Sequence, residues 1–413
     1  MLLGGEGSLG RLTEHLNLRT YSNRDCNVAD RRHVALLIET SRGYARGLLR
    51  GVTRYHHEHG DWSVYFRPHG QGDPPPLWLR NWHGDGILAR VGDRRVADAV
   101  LATGVPVVEL RGVLSDLGIP FIGVDNCAVA KAAFDHLRER GFRHIGFCGT
   151  PRFEHPLMDA RSDNFKTLVG ESGIFFSEFT RSIDRSQPLS WEQEQGEIAK
   201  WLCTLPKPVG IAACNDDYGL QVLDACRRAD LIVPDQVAVI GVDNDKYLCG
   251  FAIPPLSSVD VAPERIGYEA AKMLDRMMDG EPMSASPILL PPRGVVTRQS
   301  TDVLATDDEV VVLAVSFIRA RACNRISVAD VMHHVRLART ALELRFKKAI
   351  GRSVYQEIQR VQIERVKELL LHTELPIKQV AALCGFNYVQ YMTRAFSQIV
   401  GQTPAKFRKN AAS

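Results

Sequence analysis

Near the C-terminus the chain reads CGFNYVQYMTRAFSQIVGQTP, Cys384 to Pro404, and one stripe of this run holds side chains that can do chemistry. Met392, Ala395, Phe396 and Ile399 recur at i, i+3, i+4 and i+7 and predict the buried stripe of a helix. The opposite stripe carries Val389, Gln390, Thr393, Arg394 and Ser397. An amide, a hydroxyl and a guanidinium along one exposed side can read base edges or bind phosphate, and Val389 could meet a thymine methyl. Just upstream, Ile377, Val380, Ala381 and Leu383 form the apolar face of a shorter helix. Gly385 permits a sharp left-handed turn, Phe386 plugs the angle between the helices, and Asn387 is expected to cap the second one.

The unit occurs twice. RFKKAIGRS (345–353) parallels AFSQIVGQT (395–403), with Phe346 and Phe396, Gly351 and Gly401, and Ser353 and Thr403 each 50 residues apart. VADV (328–331) parallels IKQV (377–380) at an offset of 49, and a turn between the helices absorbs the difference. Two such units bridged by a long helix around 355–371 are best explained as a pair of helix-turn-helix modules, which would take double-stranded DNA as partner. In the first unit Leu342 and Phe346 are core, whereas Arg339, Thr340, Glu343 and Lys347 face outward; Glu343 could equally pair with Arg339 four residues earlier. Charge points the same way. Residues 316–413 hold 17 Lys+Arg against 6 Asp+Glu, a balance of +11, while the rest of the chain carries 34 against 42, or −8. A basic tail on an acidic body suggests a polyanion partner for the tail alone.

Other chemistries find little support. The segment after the first apolar run, ALLIETSRGYARG, lacks G-x-G-x-x-G, and no G-x-x-x-x-G-K-[ST], G-x-S-x-G or H-E-x-x-H occurs. No enzyme activity and no cofactor are therefore expected. HHEH at 56–59 places His56 and His57 side by side rather than i, i+4, so it reads as a solvated helix end instead of a metal site. The nine cysteines are scattered without a C-x-x-C pair and read as reduced thiols. No run approaches 18 uninterrupted apolar residues, so no membrane association is expected. Residues 1–30 contain no apolar stretch of signal-peptide type; a flexible tail and a cytoplasmic location are expected.

The elements that must position these residues can be read along the 413-residue chain, whose length asks for two or three domains. HVALLIE (33–39), WSVYF (62–66), GDGILAR (84–90), VPVVEL (105–110), HIGFCGT (144–150), VGIAACN (209–215) and VAVIGVDN (237–244) are continuous apolar runs, as in parallel strands covered on both faces. Helical spacing fills 43–59, 127–140, 191–203, 217–229 and 263–279. Asp125-Asn126 supplies an N-cap for the second of these and Gly141 closes it. Asp216 is expected to cap the helix at 217–229. Alternation over 270 residues predicts a two-lobed α/β sensor body with parallel sheets and a cleft, spanning 31–300. The polar stretch 293–310 reads as a linker, bounded at 301–312, before an all-α region at 313–413.

These motifs carry two resemblances. GF…R-x-F…G-x-[ST]-P (Gly385-Phe386, Arg394, Phe396, Gly401, Thr403, Pro404), with R-F-K-x-x-x-G-R-S upstream, resembles the AraC/XylS family of DNA-binding regulators. Met392 stands where that family usually has an aromatic residue, and Tyr388 where a small or acidic one is common. GVDNCAVAKAAFDHLRERGFRHIGFCG (123–149), AACNDDYGLQVL and VAVIGVDND resemble the ligand-binding core of the LacI/GalR regulators and the periplasmic sugar-binding proteins. The resemblance implies a homodimeric, ligand-responsive transcription regulator whose cleft takes a pentose-like sugar and which activates catabolic genes alongside RNA polymerase. A nucleoside effector, or repression, is the alternative. It places ligand contacts on Arg161, Asn215 and Asp243, with Ser41 and Tyr44 added from the first lobe. Asn215 and Asp243 end apolar strands, where open α/β sheets bind ligands, and carboxylate, amide and guanidinium groups suit sugar hydroxyls.

Overall fold

The computed structural model describes residues 31–412 except 60–61, 69, 71, 115, 154, 180–189, 304–305 and 307. The tail expected over 1–30 lies outside the described residues. Lobe one is built on β1 (Arg32–Leu37), β2 (Trp62–Phe66), β3 (Gly86–Ala89) and β4 (Val107–Glu109), parallel in the order β2-β1-β3-β4. A bridge from Glu109 to Phe121 extends it to β5 (Ile122–Val124). Lobe two contains β6 (His144–Cys148), β7 (Phe175–Phe179), β8 (Val209–Ala213), β9 (Val237–Val242) and β10 (Ser257–Asp260). After these, β11 (Ile288–Leu290) returns to pair with β5, and β12 (Gly294–Val296) joins lobe two antiparallel to β10, giving the order β12-β10-β9-β8-β6-β7. The central strands β8 and β9 are buried at every residue, which is why they read as unbroken apolar runs.

Among the described residues, eight α-helices cover the sheets: α1 (Gly43–His59), α2 (Arg94–Leu101), α3 (Asn126–Glu139), α4 (Pro156–Glu171), α5 (Trp191–Thr204), α6 (Asp216–Arg228), α7 (Lys246–Phe251) and α8 (Pro263–Met278). Asp125 caps α3 by accepting from the Ala128 N–H at 3.0 Å. α1 and α8 pack backbone to backbone: a Cβ on Gly51 would lie 2.0 Å from the Glu264 carbonyl oxygen, a space only glycine leaves open.

The tail is wholly helical, with α9 (Glu309–Arg321), α10 (Val328–Val335), α11 (Arg339–Ile350), α12 (Val354–His372), α13 (Ile377–Leu383), α14 (Val389–Val400) and α15 (Pro404–Ala412). It has two cores. Val331, Leu342 and Phe346 pack with α9 and the start of α12; Val380, Met392 and Phe396 pack with the rest of α12. The repeat seen in sequence is thus one core per unit, with α12 shared. At the turn between α13 and α14, Gly385 adopts φ +81°, and a Cβ there would lie 2.8 Å from the Cys323 carbonyl oxygen.

Several expectations are corrected. β2 is an edge strand with Val64, Tyr65 and Phe66 exposed, so it is not covered on both faces. Leu383 and Ile399 are exposed, because each small core closes over fewer positions than the apolar pattern offers. Tyr388, not Asn387, occupies the cap position of α14, without a side-chain cap bond. Asn215 rather than Asp216 caps α6. The stretch 293–310 is not a free linker: it supplies β12, buries Ser300 and Thr301, and ends in Asp308, which caps α9. Because α9 starts at Glu309, helix already occupies part of the 301–312 segment expected as linker.

Candidate functional site

The cleft is assembled from strand ends. β1 delivers Glu39, β3 delivers Arg90, and β4 ends at Glu109 with Arg111 two residues on. Glu39 and Arg90 form a buried ion pair. The Glu109 carboxylate is held by three backbone N–H groups, from Val91 at 3.0 Å, Arg111 at 2.7 Å and Gly112 at 2.5 Å. A cavity of roughly 510 Å³ opens here, lined by Glu39, Arg42, Asp73, Arg90, Asp93 and Arg111 among others.

Across from these side chains stands the second lobe. Arg161, on α4, is 4% exposed. Its Nε and Nη2 donate to Asn126 Oδ1 at 3.0 and 2.8 Å, and its Nη1 donates to the Cys214 carbonyl. Asp243 follows β9 with φ 104°, and Asn244 with φ 52°, a strained pair for non-glycine residues at the end of a strand. Burial pushes the Asp243 carboxyl up to about 6 even though Arg161, Arg90 and Arg42 pull it down. Tyr44 on α1 feels Arg90, Asp243 and Arg161 together, and burial raises its phenol above the usual range. Arg90 also lies over the Tyr44 ring, 5.3 Å from its centre. Burial, then Arg111, Arg161 and Arg90, drive the His155 imidazole down to about 4, so it is neutral.

Of the five expected ligand residues, Tyr44, Arg161 and Asp243 therefore share one electrostatic cluster. Asn215 adjoins it through Cys214, but its Oδ1 accepts the Tyr218 N–H at 3.0 Å as the cap of α6, which leaves its amide N–H₂ for a ligand. Ser41 sits exposed at the rim beside Arg42, its carbonyl accepting from Arg46 at 3.1 Å. Asp216 is buried under the cluster. Its Oδ1 accepts from Ser258 at 2.6 Å and its Oδ2 from the Asp245 N–H at 2.7 Å, while burial and then Asp243 push its carboxyl up to about 8. Sequence reasoning missed Glu39, Arg90, Glu109, Arg111, Asn126 and His155. The rule that singled out Asn215 and Asp243, polar residues ending apolar strands, also fits Glu39, Arg90 and Glu109. Arg90 Nε, Arg111 Nε, Thr150 Oγ1 and His155 Nδ1 are buried without hydrogen-bond partners among the described residues, so polar atoms converge where ligand hydroxyls could meet them.

In the tail, Arg339, Thr340 and Lys347 of α11 and Gln390 and Arg394 of α14 are exposed, and Thr393 is half-exposed beside them. Val389 instead packs half-buried against the second core. Glu343 does not pair with Arg339; its Oε2 accepts the Val354 N–H at 3.3 Å and helps fix the start of α12. Tyr388 and Tyr391 are exposed on the same helix region, edge to face at 5.6 Å. The arrangement offers two short helices with cationic and amide groups outward, each bolted to a separate apolar core.

Comparison with known proteins agrees with this architecture. Residues 33–126 match the XylR N-terminal domain, 134–301 a periplasmic binding protein-like domain, and 331–410 a helix-turn-helix domain. The chain is 30% identical over 387 residues to the xylose operon regulatory protein of Escherichia coli, covering 92% of this chain and 97% of that one. The Haemophilus influenzae xylose operon regulatory protein is 30% identical over 383 residues, covering 91% and 98%. The solved structure of a xylose-binding transcription activator, xylR, superposes with a TM-score of 0.76 at 30% identity, covering 92% of this chain and 99% of that chain. With two α/β lobes around a polar cleft and a paired helix-turn-helix tail in a single chain, the protein belongs to the family of xylose operon regulatory proteins, sugar-responsive DNA-binding transcription regulators.

Proposed function

We propose that this chain is a cytoplasmic, homodimeric transcription activator without enzyme activity, whose cleft binds D-xylose and whose tail binds promoter DNA beside RNA polymerase. The sensor extends from 31 through Asp302, and the DNA-binding part begins with α9 at Glu309. Asp243 accepts from sugar hydroxyls while Arg161, the Asn215 amide and Tyr44 bond the remaining ones; Ser41 closes the rim. Arg339, Thr340, Lys347, Gln390, Thr393 and Arg394 meet DNA, whereas Val389 and Glu343 support the recognition helices from behind. The observation that carries this reading is the meeting of Asp243, Arg161 and Tyr44, between two lobes, with polar atoms that have no hydrogen-bond partner among the described residues, in a chain that also carries a helix-turn-helix domain with two cores. A ligand that touches both lobes closes them, because it favours the state in which both sets of contacts form. Isothermal titration against D-xylose, D-ribose, L-arabinose and a ribonucleoside tests the effector. D-xylose binding, with a reporter promoter switched on by D-xylose, is expected; binding of the nucleoside alone, or reporter repression, would overturn the reading.

A further inference from the structure

Residues Arg298–Asp302 touch the cleft-forming elements on one side and the DNA-binding helices on the other. On the cleft side there are two attachments. Asn244, the neighbour of Asp243, accepts from Arg298 Nη2 at 2.7 Å. α3 makes the second attachment as a rod of 14 residues, about 21 Å at 1.5 Å per residue. Asn126 at its first turn holds Arg161 in the cleft, and its last turns hold Thr301. There His136 Nε2 and Thr301 Oγ1 lie 2.7 Å apart, and Arg140 Nε donates to the Thr301 carbonyl at 2.8 Å. The Thr301 hydroxyl donates on to Ser257 Oγ at 2.7 Å, so the imidazole is the donor to Thr301 and its Nδ1 accepts from Arg140.

On the DNA side the next residue does the holding. The Asp302 carboxylate pairs with Arg360 of α12, and its carbonyl accepts from Arg319 of α9. Arg319 also pairs with Asp235 of lobe two, whose side chain is 3% exposed. Gln299 Nε2 donates to Glu368 of α12 at 3.0 Å. α9 belongs to the core of the first unit and α12 to both cores, so these contacts hold both DNA-reading units against lobe two. Ion pairs this little exposed have defined geometry and lose much when one partner is removed.

We infer that Arg298–Asp302 is the coupling element between cleft and DNA-binding units, with α3 and Asn244 as its cleft contacts and Arg319 and Arg360 as its DNA-side contacts. A shift of Arg161 or Asp243 on ligand closure displaces the segment through short hydrogen bonds, and the displaced Asp302 reorients α9 and α12 as a pair. The inference rests on the sugar-response reading, and the test separates the two.

The test uses the full chain carrying Asp235→Asn and Asp302→Asn, with a DNA duplex selected from a random library by the wild-type protein. The D-xylose Kd and the ligand-free DNA Kd are expected to stay within about threefold of wild type. The D-xylose-induced change in DNA affinity, of the roughly 5–150-fold size usual for such couplings, should fall to about a third or less. Amide exchange over 309–321 and 354–372 should accelerate about tenfold. An unchanged D-xylose effect on DNA affinity overturns the inference. If wild-type DNA affinity ignores D-xylose, the sugar reading fails instead, and exchange decides the coupling element: unaltered protection in the double variant sinks it. Should the double variant fold poorly, Thr301→Val, which removes the hydroxyl's bonds to His136 of α3 and Ser257 of β10 and leaves the DNA-side contacts of Asp302 in place, must lower the coupling while leaving exchange over 309–321 at the wild-type rate; full coupling in Thr301→Val overturns the proposal.

Discussion

Replacing Asp243 by asparagine is expected to make the ligand-free protein more stable at neutral pH and its sugar binding weaker. Burial lifts this carboxyl from 3.8 to about 6, so at pH 7.5 the chain holds a charge that its surroundings disfavour. Two pK units at about 1.36 kcal/mol each give about 3 kcal/mol, which residual solvent contact trims to about 1–2 kcal/mol. Asparagine tolerates the φ of 104° as well as aspartate does, so the change adds no backbone strain. The gain should raise the Tm of the sensor transition by about 2–8 °C at this size. Because the folded pKa lies above the unfolded one, the aspartate is fully accommodated below about pH 4, and that stability is lost as pH rises through 6. His136 and His155, driven by burial to about 3 and about 4, act oppositely: their stability is present above about pH 6.5 and is lost on acidification. Calorimetry from pH 4.5 to 8 must therefore compare the two proteins at each pH, where the histidine effect cancels. The Tm gap should be small at pH 4.5 and level off above pH 7. Sugar affinity should fall about 10–100-fold, the worth of one charge-assisted bond. A Tm gap that does not grow with pH, or a less stable variant at pH 7.5, would refute the claim that Asp243 is a desolvated carboxylate.

Other substitutions test the frame and the tail. Gly51→Ala should destabilise the sensor by about 1–3 kcal/mol in thermal melts, because its Cβ meets the Glu264 backbone at 2.0 Å. Gly196→Ala on α5, with nothing within 4 Å, should stabilise it by about 0.5–1 kcal/mol, and equal effects of the two would contradict the α1–α8 contact. Arg394→Ala should weaken DNA binding across sequences and lower the slope of log K against log salt by about 1; an unaltered slope removes a phosphate role for Arg394. Gln390→Ala should relax preference at one base position by about 1–3 kcal/mol in a binding-site selection, and an identical selected motif would count against base reading by Gln390.

The parts legible in sequence are those set by neighbours along the chain. The bounds of α1 come out at 43–59 in both readings because apolar spacing is local. The two tail units, their glycines and their outward Arg339, Lys347, Gln390 and Arg394 were readable for the same reason. Cap chemistry was nearly so: Asp125 caps α3 as read, whereas Asn215 and Asp216 were confused, since either could cap and only the backbone path decides. The cleft was half legible. Asp243 ends a strand and Arg161 follows from resemblance, but neither reveals that Asn126, 35 residues away, fixes the guanidinium.

What tertiary structure alone decided is carried by contacts remote in sequence. Thr301 reads as a polar linker residue, yet pairing with Ser257 and His136 buries it. Val64 and Phe66 read as core, yet sheet order leaves their strand on an edge. Glu39, Arg90, Asp235 and Arg319 are ordinary charges in sequence; only the fold removes water from them and supplies the partner that a buried ion requires. Periodicity determined α1, α3, α5, α6 and α8 and most of the stripe each tail helix buries, but not α2, α4 or α7, nor the exposure of Leu383 and Ile399. Desolvation and long-range pairing, which periodicity does not encode, determined which charges face the cleft and which hold the DNA-binding helices to the sensor.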